Sequence, residues 1–257
     1  MEDKSKIIGS APAFLKEILP YISVRIFDLV DVPIVGMNMA KLSYQYIFSR
    51  GINSLMDDLA PLLPEGIYFE NKPGISLSEK ELGEALLEIY FLQVLCPGRI
   101  FLDLRPNCFE RGNGFLKWQP NGLHCKMNEN FKRALSDVYR GFYLNDRGLY
   151  LSGLQSIGLI ADTDSDEVKE EMVAIFNEHF GASDQENVQF VMKQFVESFQ
   201  KIFDKIFKQK KSLSEDFVYL GIYLVTLYLH LEKLDTSFNV RKSFFRALKK
   251  TGEEKNS

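Results

Sequence analysis

Asp103, Arg105 and Cys108, together with the adjacent pair His124 and Cys125, are the residues whose types and spacing could do chemistry. Asp103 follows the short apolar run Ile100-Phe101-Leu102 and precedes Arg105-Pro106-Asn107, so it falls in a loop that leaves a strand. A carboxylate there can serve as a general base. It can equally accept backbone N–H groups ahead of Arg105, or pair with Arg105 itself, and the structural role is favoured. Cys108, Cys125 and His124 invite a metal site or a nucleophile pair across a hairpin. However, neighbours in a strand point to opposite faces, so His124 and Cys125 are awkward partners, and the plainer expectation is buried thiols beside an exposed imidazole. His179 and His230 have no companions at ligand spacing. The three cysteines are odd in number and lack paired metal spacing, which indicates reduced thiols rather than a disulfide framework or zinc centre.

A second set of residues points to binding. Phe190, Phe195, Phe199, Phe203 and Phe207 recur at steps of four to five. Of these, Phe195, Phe199 and Phe203 are candidates to face an isoprenoid or acyl chain, against the ordinary reading that such a stripe is core. Lys201, Lys205, Lys208, Lys210 and Lys211 gather at the same end. They can touch anionic lipid or simply complement a helix C-terminus.

The elements that must position these groups are mostly helical. Apolar spacing broken by Pro20 predicts two short helices, or one kinked helix, over 12–31, and a longer helical stretch over 35–60. Residues 67–69 read as a short strand. Ser78-Glu79-Lys80-Glu81 is a capping box that announces a helix over 79–95, stopped by Pro97-Gly98. Turn signals at Gly112-Asn113-Gly114 and Pro120-Asn121-Gly122 predict a small hairpin within 107–127, the one convincing strand pair. Helices are expected over 130–143, 146–157, 165–180, 184–207, 214–234 and 241–250. Strands and helices do not alternate, which excludes a doubly wound α/β fold.

The chain has 257 residues, 46% of them apolar, with a formal charge of −4. That balance disfavours nucleic acid as a partner, since phosphate binding requires surplus Lys and Arg. The start of the sequence has no apolar core of a secretory signal, so a cytoplasmic protein, at most peripheral at a membrane, is expected. The run Phe217 to Leu231 is short of the roughly 20 residues needed to cross a bilayer and is expected to be a buried helix.

The order of helix, short strand, Asp103 loop, hairpin and helical tail resembles the large lobe of a protein kinase. The stretches Gly98 to Phe109 and Gly114 to Leu135 are similar to the catalytic and metal-binding segments of the AarF/UbiB atypical-kinase family. Tyr143 to Leu149, Gly153 to Ile160 and Leu213 to Asp235 are similar to its later helices, so the resemblance spans roughly 78–248. Upstream, Ile26 to Val30 with Tyr44 to Arg50 can be laid on the family's acidic ExD helix, the preferred alignment. The alternative places Ala11 to Lys16 on the family's conserved N-terminal start.

The resemblance implies a mainly α protein with a kinase-like large lobe, one small β-hairpin, a helical C-terminal half and a small lobe reduced or absent. It implies one domain over 4–250, with a reduced helical part at 12–75, a catalytic-lobe-like part at 76–161 and a helical part at 162–250. Asp103 falls on the loop aspartate and is a vestigial catalytic candidate. The metal-binding Asn falls on Cys108, and the metal triplet becomes Pro120, Asn121 and Gly122, without its carboxylate. The ExD element becomes Gln45-Tyr46-Ile47. A neutral thiol is a poor ligand for magnesium, and triphosphate charge is left without a counterion. The implied function is a catalytically inactive, pseudokinase-like binding or scaffolding protein, with no cofactor and no metal expected. Its partner would be an isoprenoid or quinone-type lipid or a membrane-associated enzyme. Two alternatives stay open: a divergent ATP-dependent kinase or ATPase using magnesium, and a ligand-free helical adaptor.

Overall fold

The computed structural model describes residues 13–48, 51–72, 76–112, 115–180 and 183–252. The fold is mainly α. Its helices are α1 (Ala13–Lys16), α2 (Val32–Phe48), α3 (Ile52–Leu59), α4 (Glu79–Leu95), α5 (Glu129–Tyr143), α6 (Arg147–Ser156), α7 (Asp166–Phe180), α8 (Met192–Lys208), α9 (Asp216–Lys233) and α10 (Val240–Lys250).

At the centre lie two helices that are apolar nearly all round, and burial follows from that composition. In α4 every residue from Leu82 to Leu95 is buried. In α9 the residues Asp216 to Tyr228, with His230 and Leu231, are buried, as expected of the 217–231 run. No helix among the described residues is long and apolar enough to cross a membrane. The capping box forms as its sequence dictates. The Ser78 Oγ accepts from the Glu81 N–H at 3.3 Å, and the Ser78 N–H donates to Glu81 Oε2 at 2.8 Å.

Seven short strands occur among the described residues: β1 (Ile67–Tyr68), β2 (Ile100–Phe101), β3 (Phe109–Gly112), β4 (Phe115–Trp118), β5 (His124–Cys125), β6 (Val188–Gln189) and β7 (Ser237–Phe238). The expected hairpin is β3 against β4, with Phe109 opposite Trp118 and Gly112 opposite Phe115. Asn113 and Gly114 of its turn signal lie outside the described residues. The hairpin is not the lone strand pair. β1 adds in parallel to β4, β5 pairs with β2, and β6 pairs with β7. The Pro120-Asn121-Gly122 signal therefore serves as the loop that carries the chain from β4 to β5, not as a hairpin turn.

Three helical expectations are also corrected. Residues 13–28 fold as the four-residue α1 and two 3-10 turns, Leu19–Tyr21 and Val24–Asp28. Pro20 supplies no N–H and fixes its φ, which suits a tight turn better than a helix interior. The stretch 35–60 is two helices, and Gly51 enters α3 at φ +74, a left-handed conformation open mainly to glycine. The helix expected from residue 184 begins at Met192 instead, because Val188 and Gln189 are taken by pairing with Phe238 and Ser237.

The last helix is fastened across the core. Glu84 and Glu88 of α4 have side chains only 5% exposed, and α10 supplies their cations. Lys242 Nζ lies 3.1 Å and Arg246 Nη1 3.5 Å from Glu84, and Lys250 Nζ lies 2.7 Å from Glu88. The Ser243 hydroxyl donates to the Glu84 carbonyl at 2.8 Å. Phe238 approaches so near the α4 backbone that a Cβ on Gly83 would stand 2.0 Å from its ring, so only glycine fits there.

Candidate functional site

Asp103 sits on the loop that leaves β2. The ladder with β5 continues one step past the strand, the Leu102 N–H donating to the Leu123 carbonyl at 2.8 Å. Helix α9 holds the loop from behind. The Thr226 hydroxyl donates to the Leu102 carbonyl at 2.7 Å and accepts from the Leu104 N–H at 3.2 Å. His230 Nδ1 lies 2.8 Å from the Leu104 carbonyl. Burial first of all depresses the His230 pKa, to about 4. The ring is thus neutral at pH 7, and its Nδ1–H donates to that carbonyl.

Asp103 is 1% exposed and its carboxylate is saturated. Oδ1 accepts from the Arg105 backbone N–H at 3.1 Å and from Arg105 Nε at 2.9 Å. Oδ2 accepts from Arg105 Nη2 at 2.6 Å and from Asn121 Nδ2 at 2.7 Å. A carboxylate offers about four lone-pair sites, and four donors occupy them. Burial is the largest influence and opposes ionisation. The hydrogen bonds and charge of Arg105, with Asn121, outweigh it and leave the Asp103 pKa below the ordinary carboxylate value. A carboxylate in that state is a weak base.

The same loops collect the other positions singled out in the sequence. Asn121 Nδ2 also lies 3.5 Å from Cys108 Sγ, and the Asn121 Oδ1 accepts from the Leu123 N–H at 2.9 Å. Burial pushes the Cys108 and Cys125 thiols well above their usual pKa, so neither is a thiolate at neutral pH. Arg105 reaches outward to Glu17 Oε2 at 2.5 Å. The C-terminal half of α2 lies directly on the β4–β5 loop: a Cβ at Gly122 would stand 2.0 Å from the Gln45 carbonyl oxygen and 2.8 Å from the Tyr46 Cα. Gln45 and Tyr46 thus pack their backbone on Gly122.

His124 departs from expectation. It is fully buried, not exposed, with its ring edge-on to Phe101 at 6.3 Å and beside Gly51. The β2–β5 pair is enclosed by α2 and the Gly51 turn on the side that alternation leaves for His124. Among the described residues no group of three or more His, Cys, Asp or Glu is placed to hold a metal ion. His179 belongs to α7.

The phenylalanine stripe divides. Phe195 and Phe203 are buried, Phe199 is half-buried, Phe207 is exposed, and Phe190 precedes α8. Phe195, Phe199 and Phe203 line one crevice with Tyr21, Ile22, Ser23, Ile26, Gly221 and Val225. The cavity it encloses is about 10 Å³, room for about one water, against roughly 300–1,000 Å³ for sites that enclose a small molecule. The 3-10 segment over 19–28 straps it. Arg25 Nε lies 3.3 Å from Asp204, the Arg25 guanidinium sits 4.9 Å over the Phe207 ring, and the Leu213 N–H donates to the Leu29 carbonyl at 2.7 Å.

Lys132 had no distinguishing signal in the sequence. It lies in the amphipathic α5, is 4% exposed, and donates to the Gly98 carbonyl at 3.0 Å. Burial lowers its pKa to about 8. No family model matches the chain, and no curated protein matches it.

Proposed function

We propose that the protein is a non-catalytic, kinase-like binding module rather than a phosphoryl-transfer enzyme. The state of Asp103 carries this reading. A catalytic base needs a free lone pair aimed at a substrate hydroxyl, and all four acceptor positions of this carboxylate point at Arg105 and Asn121. Further support comes from Asp103, Cys108 and Asn121 lying within hydrogen-bonding reach of one another. These are positions that the AarF/UbiB resemblance assigns to the base, the metal amide and the metal triplet. Saturable Mg²⁺-dependent ATP binding that is abolished by Asp103→Asn would overturn it.

The ligand we assign to the module is an isoprenoid, quinone-type or acyl chain, taken between Phe195, Phe199 and Phe203 on one side and the 19–28 strap on the other. The apolar lining supports this class, and the present volume requires the strap to move outward on binding. Gly221 provides the test. It lines the crevice, and a Cβ there meets nothing within 4 Å, so the branch point of a Gly221→Val side chain enters the crevice without meeting protein. Organic extraction of the purified protein is expected to release a prenyl or acyl lipid, and a short-chain prenyl quinone is expected to raise the melting temperature. Gly221→Val should abolish both effects while remaining folded. An unaltered rise in that variant, or no lipid and no rise in the wild type, refutes the assignment. The adaptor alternative requires an exposed apolar patch, and the outer side of α2 supplies one.

A further inference from the structure

Helix α2 carries an outward stripe that neither the Asp103 loops nor the crevice uses. Met37, Tyr44, Ile47 and Phe48 are 66, 46, 69 and 58% exposed. With Ala40 and Lys41, also exposed, they recur at steps of three and four and so share one side of the helix. The inner side is fixed by burial of Val35 and Leu42 and by stacking of Tyr46 on Phe14 at 4.4 Å. The stripe therefore lies on the side of α2 that faces away from the core.

Dimensions and charge select what covers it. The helix has 17 residues, about 25 Å of length, which falls short of the roughly 30 Å of bilayer hydrocarbon. A face about 25 Å by 10 Å offers on the order of 250 Å², far below the roughly 800 Å² per partner of a stable protein interface. A second copy seated on this stripe alone would be held weakly. Insertion into a bilayer interface has no such threshold, because affinity grows with each apolar group immersed. Lys41 is the one charged residue in α2, and no Asp or Glu occurs between Asp31 and Asp57. Arg99 adds a second cation at the far end, its guanidinium 2.9 Å from where a Cβ on Gly51 would stand. Tyr44 and Phe48, with rings 4.7 Å apart, put aromatic area on the same helix face as Lys41, as interfacial segments do.

We propose that α2 docks its Met37-to-Phe48 stripe onto the surface of an anionic phospholipid bilayer. The helix lies in the interface plane with Lys41 and Arg99 at the headgroups. The test is flotation of the full chain with vesicles of phosphatidylcholine containing about 30% phosphatidylglycerol, compared with phosphatidylcholine alone. Wild type is expected to float at least about tenfold more with the anionic vesicles. Ile47→Glu combined with Phe48→Ser should lower that fraction about tenfold, and Lys41→Glu should lower it several-fold and flatten its salt dependence. Phe48→Trp provides a readout that does not depend on loss of binding. Its fluorescence should be quenched by brominated anionic lipid, whereas the buried Trp118 of the wild type should be unaffected. Three results would each overturn the proposal: no flotation, flotation indifferent to the double substitution, or no quenching at position 48. A dimer in light scattering that the double substitution dissociates would do the same by seating a protein on the stripe.

Discussion

Replacing Arg105 with Ala should destabilise the protein strongly at pH 7 and much less in acid. Arg105 provides three of the four hydrogen bonds to a carboxylate that is 1% exposed. The backbone N–H and the Asn121 amide survive the substitution, but the only cation bonded to Asp103 is lost. Removing one partner of a buried pair costs about 3–5 kcal/mol, mostly from the charge left behind. The sign of the pH dependence then inverts. In the wild type the folded Asp103 pKa is depressed. Its contribution is therefore present above the unfolded value and is lost as pH falls through the folded one. Without Arg105, burial dominates and the folded pKa rises above the unfolded one. The residue is then most favourable when protonated, and stability is lost as pH rises through the new folded pKa. Each pH unit below that pKa recovers about 1.4 kcal/mol until the unfolded pKa is reached. Urea unfolding at pH 7 and at pH 5 measures both effects. The gap between variant and wild type should narrow by at least about 1 kcal/mol on acidification. A gap under about 1 kcal/mol at pH 7, or one that widens in acid, would refute the account of a saturated buried carboxylate. The pair Asp103→Leu with Arg105→Leu should cost less than either single change, because no charge is stranded.

Two glycines give opposite results by the same measure. Gly122→Ala should lower the unfolding free energy by about 2–3 kcal/mol, since its Cβ meets the Gln45 carbonyl at 2.0 Å and backbone must move. Gly36→Ala, in α2 with nothing within 4 Å, should raise it by about 0.5–1 kcal/mol through helix propensity. Lys132→Met should stabilise the protein at pH 7, where the buried ammonium is disfavoured. The Lys132 pKa is about 8 when folded, against 10.5 ordinarily. Between those values the unfolded chain binds more protons, and wild-type stability rises with pH relative to the variant. Chemical denaturation from pH 7 to 10.5 should show the advantage of Lys132→Met shrinking across that window, and a constant advantage would contradict it.

Local grammar made much of the helical fold legible. Ser78 and Glu81 announced the start of α4, and Pro97-Gly98 its end. The nearly all-apolar run at 217–231 foretold the buried α9. The breaks were harder where a long-range partner decides the local state. Val188 and Gln189 read as helix on spacing alone, because nothing nearby marks Ser237 and Phe238 as their ladder partners. Gly51 falls inside the helical stretch expected over 35–60, and its left-handed φ becomes evident only with His124 and Arg99 packed beside it. For the site, the pairing of Asp103 with Arg105 follows from adjacency and chemistry. The remaining donor, Asn121, lies beyond the β3–β4 hairpin, and the sequence marks it as a turn residue and, through the resemblance, as part of a metal triplet, but not as a partner of Asp103. Burial of His124 was missed because strand alternation says which side a residue takes but not whether that side is covered. Lys132 was invisible for a related reason: its amphipathic helix gives a lysine no mark to distinguish a solvated ammonium from an enclosed one.

The fastening of α10 across α4 also constrains the order of assembly. Glu84 emerges 158 residues before its partner Lys242, and Glu88 likewise long before Lys250. Until then the nascent core helix holds two carboxylates that it cannot enclose. Phe238, which packs on Gly83, arrives equally late. The central layer therefore closes only after α10 has been synthesised, and chains stalled before residue 240 would present an open, acidic seam to the chaperones and proteases that survey unfinished proteins.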